Sequence, residues 1–393
     1  MLNGMHSGDD PILRPRMPEL DTVRGIAILL VFVFHAFEDF VPGDAHIPAW
    51  EHLLLSAARL GWTGVDLFFV LSGFLITGIL LDSAVTPRYF SNFYFRRALR
   101  ILPAYYLLLA ILAVLALIGF VHRHASWGFI GLSTIYLSNI TPLLGVSRDY
   151  APLWSLAVEE HFYLVWPAAV RALKLRGLLI IALLICVCEP ALRALAMTRG
   201  GLWWGPYTWL SSDGLAVGSL LAIFVRSVRA SRTSLIRLAG IGALVVVTIL
   251  AASSVVPIAA AVSLRATSVN YASLAILCAV LWLGTCKYRW LVNNKVLAFY
   301  GFISYSLYLI HPLIFSLYND ECVRFAPFLS IGHSFAMCLL RLWIVLVIAT
   351  TLAYLSRISY EEFFMRMKNR HPRQKEMMSD TGSLPTALNT TSN

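Results

Sequence analysis

Long apolar runs, separated by short polar segments, recur along this chain from Gly25 to Leu355. Most runs are close to the roughly 20 apolar residues that an α-helix needs to cross the hydrocarbon core of a bilayer. The pattern predicts an all-α fold class, a polytopic membrane bundle of about ten transmembrane helices. The predicted spans cover residues 25–41, 64–81, 101–120, 153–170, 177–193, 207–225, 238–256, 268–285, 297–318 and 333–355.

One further apolar segment, Trp127 to Val146, does not fit a simple alternation of spans. If this segment crossed the membrane completely, the basic residues just after position 170 would lie on the opposite side of the membrane from the other basic segments. We therefore expect this segment to be re-entrant or packed on the outer side, where it caps a cavity, because partial spans are tolerated inside protein. A plain eleventh span is the alternative.

The composition is typical of a membrane protein. Hydrophobic residues make up 59% of the chain and charged residues only 13%, whereas about a quarter of the residues are charged in soluble domains. The net charge of +10 does not indicate nucleic-acid binding, because the basic residues lie between the apolar runs. Most of the 31 basic residues fall on one side of the membrane if the N-terminus is inside, which predicts cytoplasmic N- and C-termini.

Three regions are predicted: a polar cytoplasmic N-terminus over residues 1–19, a transmembrane domain over residues 20–358, and a cytoplasmic, largely disordered tail over residues 359–393. Within the tail, Tyr360–Met365 could form a short interfacial amphipathic helix. No cleavable signal peptide is expected, since the first apolar run is long enough to remain as an anchor. The six cysteines are interpreted as small buried hydrophobic residues rather than as a zinc or disulfide site, and no metal is predicted.

An arginine and a histidine mark the first predicted helix. Arg24 and His35 are eleven residues apart, so they share one helix face and lie roughly 16 Å apart along the axis. An ionisable group inside a membrane is costly, and therefore suggests a function. Because imidazole titrates near neutral pH, His35 is the candidate general base. The alternatives are that Arg24 only marks the membrane surface and that His35 bonds to a neighbouring helix.

Three arginines precede the third predicted span. Arg97 and Arg100 share a helix face, as do Arg96 and Arg100. Guanidinium groups bind phosphates through paired hydrogen bonds, so the cluster suits an anion at the cytoplasmic surface. Ordinary positive-inside charge is an equally good explanation.

A polar face also interrupts the fourth predicted span. Ser155, Glu159 and Tyr163 follow one another at intervals of four residues and share that face. Glu159 is the candidate to orient His35 or to stabilise its imidazolium form, as a carboxylate does in catalytic triads. An interfacial polar belt is the alternative.

Four other polar residues are interpreted as structural or substrate-positioning. Ser72 lies in a segment of small residues that allows close helix packing. Asp66 and Asp213 each need a polar partner or compensate a helix N-terminus. His311 precedes a proline that should kink or end the local turn, and a structural role is favoured over a catalytic one.

Together, these blocks resemble the acyltransferase 3 family, the membrane-embedded O-acyltransferases that modify bacterial glycans. The resemblance runs from Leu20 to about Leu355, and the number and order of the blocks make it specific. The matching blocks are Arg24 with His35, Gly64–Phe74, Arg97 with Arg100, Ser155 and Glu159 within Trp154–Tyr163, Asp213–Leu215, and Ser304–Pro312.

The resemblance implies transfer of an acyl group, usually acetyl, from cytoplasmic acyl-CoA to a hydroxyl of a glycan or glycosylated acceptor. Acetyl-CoA would be the donor, and the partners would be this acceptor and the lipids of the bacterial inner membrane. His35 would serve as general base or acyl carrier, with Glu159 beside it. The donor phosphates would be held by Arg24, Arg97, Arg100 and Arg96. A stand-alone form is expected, since the chain shows no SGNH-type hydrolase domain.

Two other functions are compatible with the pattern. A transporter or flippase of a glycan or lipid-linked sugar would suit a helical bundle with buried charge, although no inverted repeat is evident. A non-catalytic scaffold in envelope assembly is the second. The acceptor, the acyl chain length and the oligomeric state are not predicted.

Overall fold

The computed structural model describes residues 12–14, 16–38, 40, 48–118, 125–201, 205–227, 230–327 and 334–369. Within these ranges the regular structure is helical and no strand occurs, which confirms the all-α prediction. The α-helices, labelled α1 to α15 in chain order, are Pro18–Phe37, Ala49–Arg59, Thr63–Asp82, Tyr89–Leu117, Trp127–Ser133, Leu153–Ala172, Leu175–Arg199, Thr208–Ser211, Asp213–Val225, Arg232–Ser253, Ile258–Gly284, Lys295–Leu317, Val323–Phe325, Phe335–Leu355 and Glu362–Asn369.

Eight helices in the described part of the chain are long and apolar enough to cross a bilayer, which confirms a polytopic membrane bundle. All ten predicted spans fall on helical segments, but two of these spans do not correspond to helices of this group. In α6 the apolar pattern is interrupted by charged side chains. The predicted span 207–225 divides into α8 and α9, and α9 has only 13 residues.

Helix α4 begins at Tyr89, well before the predicted span at residue 101. The arginines that precede Ile101 end the apolar pattern but not the helix, since arginine is a good helix former. Arg96, Arg97 and Arg100 therefore lie on one continuous helix that enters the bundle.

The segment from Trp127 to Val146 contains no spanning helix. The seven residues of α5 are followed by turns and a short 3₁₀-helix over Thr141–Leu144. Tyr136 has a left-handed φ of 60°, which interrupts the helix, and its ring stacks on Tyr105 of α4 with centroids 4.3 Å apart. The eleventh-span alternative is therefore wrong. The re-entrant or outer placement of the segment stays a prediction.

Helices α1 and α12 pack with their backbones in close contact. A Cβ atom added at Gly25 of α1 would collide with the carbonyl of Leu297, and one at Gly301 of α12 would collide with the carbonyl of Asp21. Only glycine allows this approach at both positions. The packing fixes Arg24 and His35 of α1 against the motif Ser304–Pro312 of α12.

The C-terminal part of the described chain continues from α14 into a π-helical turn, Ser356–Glu361, and the amphipathic helix α15, and both of these elements pack against α4. The predicted helix Tyr360–Met365 overlaps both of these elements. The predicted tail disorder after residue 369 lies outside the described residues, and so does most of the predicted polar N-terminus. Of the five cysteines whose burial the structure describes, Cys188 is exposed on α7, Cys286 is half-buried, and three are buried, namely Cys186, Cys278 and Cys338.

Candidate active site

A cavity with a volume of about 180 Å³ opens between α1, α3, α4, α6 and α12, and we call it the basic cavity. Three of its lining side chains carry a guanidinium group and one carries a carboxylate. The excess of positive charge favours an anionic occupant. Its lining includes six of the predicted site residues, namely Arg24, Ser72, Arg97, Arg100, Ser155 and Glu159.

Arg97 makes the central polar contacts of the basic cavity. Its Nη2 lies 4.0 Å from Oε2 of Glu159, and its Nε lies 3.9 Å from Oε1 of Glu160. The guanidinium carbon lies 3.7 Å from the ring centroid of Tyr163, and the Tyr163 hydroxyl hydrogen-bonds to Ser72. Two carboxylates and an aromatic face therefore hold the guanidinium group, and Tyr163 and Ser72 support it from behind.

The other arginines differ in their positions. Nη1 of Arg24 donates to Oδ1 of Asp21 at 2.5 Å. Arg100 lies close enough to Arg24 and Arg97 for their charges to repel one another. Arg96 is not among the described residues that line the basic cavity, because consecutive residues on a helix project about 100° apart. The structure thus brings three of the four predicted arginines together at this cavity.

A second cavity of about 210 Å³ lies beyond the other end of the α1 motif, and we call it the acidic cavity. His35 lines it together with the carboxylates Glu38 and Asp149 and the amide of Asn319. Carboxylates accept hydrogen bonds, and an amide both donates and accepts them. The acidic cavity therefore suits a ligand rich in hydroxyl groups and disfavours phosphates.

His35 and His311 form a pair of imidazoles between α1 and α12. Nδ1 of His311 donates to the Leu307 carbonyl at 2.8 Å, so its Nε2 carries a lone pair, and this Nε2 lies 3.3 Å from Nδ1 of His35. Nδ1 of His35 also lies 2.9 Å from the carbonyl oxygen of Val31. Because two acceptors face this nitrogen, the proton of the neutral His35 ring belongs on Nδ1. Its Nε2 then carries a lone pair, 3.9 Å from the Glu38 carboxylate.

His35 and Glu159 have different neighbours in the structure. Glu159 lies beside Arg97 in the basic cavity, whereas the His35 ring lines the acidic cavity. Glu159 thus has Arg97 as its charged neighbour, and its predicted role in orienting His35 stays a prediction. His311, for which the sequence favours a structural role, is completely buried and contacts the imidazole directly.

Ser155 and Tyr308 lie between the two cavities. The Ser155 hydroxyl donates to the Pro152 carbonyl at 3.1 Å and lies 2.6 Å from the Tyr308 hydroxyl. Ser155 and Tyr308 line the basic cavity, while Pro152 lines the acidic cavity. The Tyr308 ring is 5.9 Å from the His311 ring. The contact between Ser155 and Tyr308 therefore lies at the wall of the basic cavity that faces the imidazole pair.

Asp66 and Asp213 belong to a different, buried network. Nη2 of Arg193 lies 2.8 Å from Oδ2 of Asp213, and Glu189 accepts the backbone N–H groups of Ser212 and Asp213 at 2.8 and 2.7 Å. Asp66 lies near the charges of Asp213 and Arg193, in the first turn of α3. Glu189 satisfies free N–H groups at the start of α9. These contacts favour the structural interpretation of both aspartates.

The sequence did not lead us to several residues that line the acidic cavity. Glu38 follows His35 by three residues on the same helix, and this spacing indicates that the two side chains share a helix face. Asp149 and Tyr150 lie in a connecting segment with no periodicity to mark them. The Tyr150 hydroxyl donates to the carbonyl of Leu309 at 2.7 Å and accepts the N–H of Leu313 at 3.2 Å. Burial raises the pKa of Tyr150 far above its usual value, which keeps this hydroxyl protonated.

The bundle defines a polytopic membrane protein that encloses two charged cavities, one lined by Arg24 and the other by His35 of α1. No group of three His, Cys, Asp or Glu side chains in the described ranges is arranged to hold a metal ion. The acyltransferase domain of the acyltransferase 3 family matches residues 17–360. The chain therefore belongs to this family.

Known proteins are similar to parts of the chain. The peptidoglycan O-acetyltransferase OatA of Listeria monocytogenes is 31% identical over 173 residues, which are 39% of this chain and 24% of that protein. YrhL of Bacillus subtilis, provisionally named a peptidoglycan O-acetyltransferase, is 30% identical over 238 residues, which are 53% of this chain and 33% of that protein. The chain thus spans about a quarter to a third of the length of these curated relatives. No solved structure matches it.

Proposed function

We propose that the chain is an integral membrane O-acyltransferase that moves an acetyl group from acetyl-CoA to a hydroxyl of a glycan acceptor. The observation that carries the proposal is the imidazole pair, which lies at an acidic cavity and next to a basic cavity. The family and the names of the relatives support the same class of reaction. We place the protein in a bacterial inner membrane, with both termini and the basic cavity on the cytoplasmic side.

The basic cavity is the proposed donor site. Acetyl-CoA carries a pyrophosphate and a ribose phosphate, and Arg24, Arg97 and Arg100 can bind phosphate oxygens through paired hydrogen bonds. Glu159 has a positioning role here, because it holds Arg97 in place. The narrow pantetheine arm would extend along the apolar wall of the cavity towards Ser155. Displacement of the Tyr308 hydroxyl from Ser155 would then bring the thioester to the imidazole pair.

The acidic cavity is the proposed acceptor site, with His35 as the base. A sugar hydroxyl would donate hydrogen bonds to Glu38 or Asp149. Nε2 of His35 removes the hydroxyl proton while the oxygen attacks the thioester carbonyl carbon. The carbon–sulfur bond then breaks, and the imidazolium returns the proton to the thiolate of CoA. Nε2 of His311 accepts a hydrogen bond from Nδ1–H of His35 and so favours the imidazolium form of His35, the role that a carboxylate has in a triad.

An acyl-carrier mechanism would use the same atom of His35. Nε2 would attack the thioester carbonyl carbon as a nucleophile, and the carbon–sulfur bond would break to release the CoA thiolate. The acceptor oxygen would then take the acetyl group from the ring, Nε2 would receive the hydroxyl proton, and this proton would pass to the thiolate. Rapid acid quenching followed by mass analysis of the peptide that contains His35 distinguishes this mechanism from direct transfer. A trapped acetyl group on the ring supports the carrier, and its absence during turnover supports the base.

The test uses the protein in proteoliposomes with acetyl-CoA and a soluble glycan-strand fragment of peptidoglycan. Mass spectrometry detects an added acetyl ester on the glycan. We expect His35→Ala to lower the transfer rate by about 100-fold or more, the contribution of a general base, while the variant still binds acetyl-CoA. Normal transfer by this variant would refute the mechanism. Movement of the glycan across the bilayer without consumption of acetyl-CoA would instead support a transporter or flippase.

A further inference from the structure

Asn319 lines the acidic cavity in an unusual backbone segment. Helix α12, which carries His311, continues directly into a π-helical turn over Tyr318–Cys322 that contains Asn319. Such turns widen a helix locally and are frequent at functional sites. Asn319 and His35 line the same cavity although they are far apart in sequence. The π-helical turn therefore places an amide group in the same cavity as the candidate base.

Arg341 of α14 fixes this amide. Its side chain is completely buried, and its Nη1 donates to Oδ1 of Asn319 at 2.8 Å. A guanidinium group only donates hydrogen bonds, so the atom that it contacts must be the amide oxygen. The contact therefore assigns Oδ1 and Nδ2 of Asn319, which the shape of the side chain alone leaves open.

The same guanidinium also contacts the end of α1. Nη2 of Arg341 donates to the carbonyl of Ala36 at 2.5 Å. Ala36 follows His35 directly and lies in the last turn of α1, where carbonyl groups lack partners within the helix and a cation is favourable. One buried cation thus joins the backbone beside His35 to the side chain of Asn319, and sets the position of the amide relative to the imidazole.

We propose that Asn319 is a catalytic residue that donates a hydrogen bond from Nδ2 to the carbonyl oxygen of the acetyl thioester, and that Arg341 positions it. This inference rests on the proposed function. When the acceptor oxygen attacks the carbonyl carbon, the electron pair of the C=O bond moves onto oxygen and His35 takes the hydroxyl proton. The negative oxygen is stabilised by the Asn319 amide until the C=O bond re-forms and the thiolate leaves. Amide side chains are established donors of this kind in acyl transfer.

Asn319→Asp is the discriminating variant. It keeps the shape of the side chain and an oxygen that can accept from Arg341, but replaces the donor Nδ2 with a negative oxygen. We expect kcat for acetyl transfer to fall by about 10²–10³-fold, the usual cost of one lost oxyanion donor, with the KM values for acetyl-CoA and for the glycan fragment nearly unchanged. Asn319→Ser retains a donor hydroxyl and should recover part of kcat. Asn139→Asp makes the same change at a buried amide that lines neither cavity, and should retain kcat.

Arg341 is tested through its effect on Asn319. Arg341→Lys keeps one charged donor and should lose less kcat than Arg341→Met, again without a matching change in KM. In the Asn319→Asp background, the same Arg341 substitutions should have little further effect on kcat. If the losses of kcat from the Arg341 and Asn319 substitutions are additive in the double variants, the positioning role of Arg341 is overturned.

The outcomes separate this inference from the proposed function. A wild-type protein that neither transfers nor hydrolyses the acetyl group of acetyl-CoA overturns both. An active wild type together with a folded Asn319→Asp variant of unchanged kcat overturns only the role of Asn319. If Asn319→Asp raises only the KM for the glycan fragment and leaves kcat unchanged, the role of Asn319 is also overturned, because the amide would then contact the acceptor. Size-exclusion chromatography in detergent verifies that each variant is folded.

Discussion

Replacement of His311 tests how much the imidazole pair contributes to catalysis. His311→Phe keeps a ring of similar size in the fully buried site but removes the acceptor that lies 3.3 Å from Nδ1 of His35. In the transition state His35 is becoming positively charged, so the lost hydrogen bond is charge-assisted and worth about 1.5–3 kcal/mol. At 1.36 kcal/mol per factor of ten, kcat should fall by about 10- to 160-fold. The Val31 carbonyl still accepts a hydrogen bond from Nδ1–H of His35, which limits the loss.

Steady-state kinetics in proteoliposomes provide the measurement. The KM for acetyl-CoA should stay constant, because the arginines of the donor site lie in the basic cavity. His161→Phe is the matched control, since His161 contacts Thr208 at 2.6 Å and lines neither cavity. A folded His311→Phe variant with wild-type kcat would refute the reasoning. An increase in the KM for acetyl-CoA alone would also refute it, because His311 would then act on donor binding.

Two further predictions concern donor binding and helix packing. Arg97→Gln should raise the KM for acetyl-CoA by about 10- to 160-fold, because one charged hydrogen bond is worth about 1.5–3 kcal/mol. Arg96→Gln should change this KM much less. Equal effects of the two substitutions in a titration with acetyl-CoA would contradict the assignment of the basic cavity as the donor site. Gly301→Ala forces a Cβ atom against the Asp21 carbonyl and should destabilise the bundle by about 1–3 kcal/mol, seen as a lower Tm in detergent. Gly240 faces open space, so Gly240→Ala should leave Tm unchanged. An equal loss of Tm in both variants would show that the loss does not arise from the close contact between α1 and α12.

The fold was largely predictable because apolar length is a strong signal in a membrane protein. Every predicted span falls on a helical segment, and the largest boundary error occurs in α4, where arginines end the apolar run but not the hydrogen-bonded helix. The split between α8 and α9 was not visible in the sequence. Hydrophobic patterns report burial in lipid, and they carry little information about breaks inside an apolar segment.

The candidate site was predictable in its residues but not in its pairings. His35 and Arg24 stand out because ionisable groups are rare in apolar helices. The contact between His35 and His311 joins positions 276 residues apart, and no periodicity within one helix can reveal it. The proximity of Arg97 to Glu159 was not foreseen for the same reason. Arg341 and Asn319 were missed because a single arginine in a span and an asparagine at a helix end have many ordinary explanations.

The glycine-mediated contact between α1 and α12 has a mechanical consequence. These two helices carry Arg24, His35, Tyr308 and His311. Because the backbones of α1 and α12 are in close contact, the two helices should move as one rigid unit. In the proposed mechanism, Arg24 and the imidazole pair would then keep a constant spacing throughout turnover. The movement that admits the thioester would come from α6, which carries Ser155. Crosslinks between α6 and α12 should therefore stop acetyl transfer, whereas crosslinks between α1 and α12 should not.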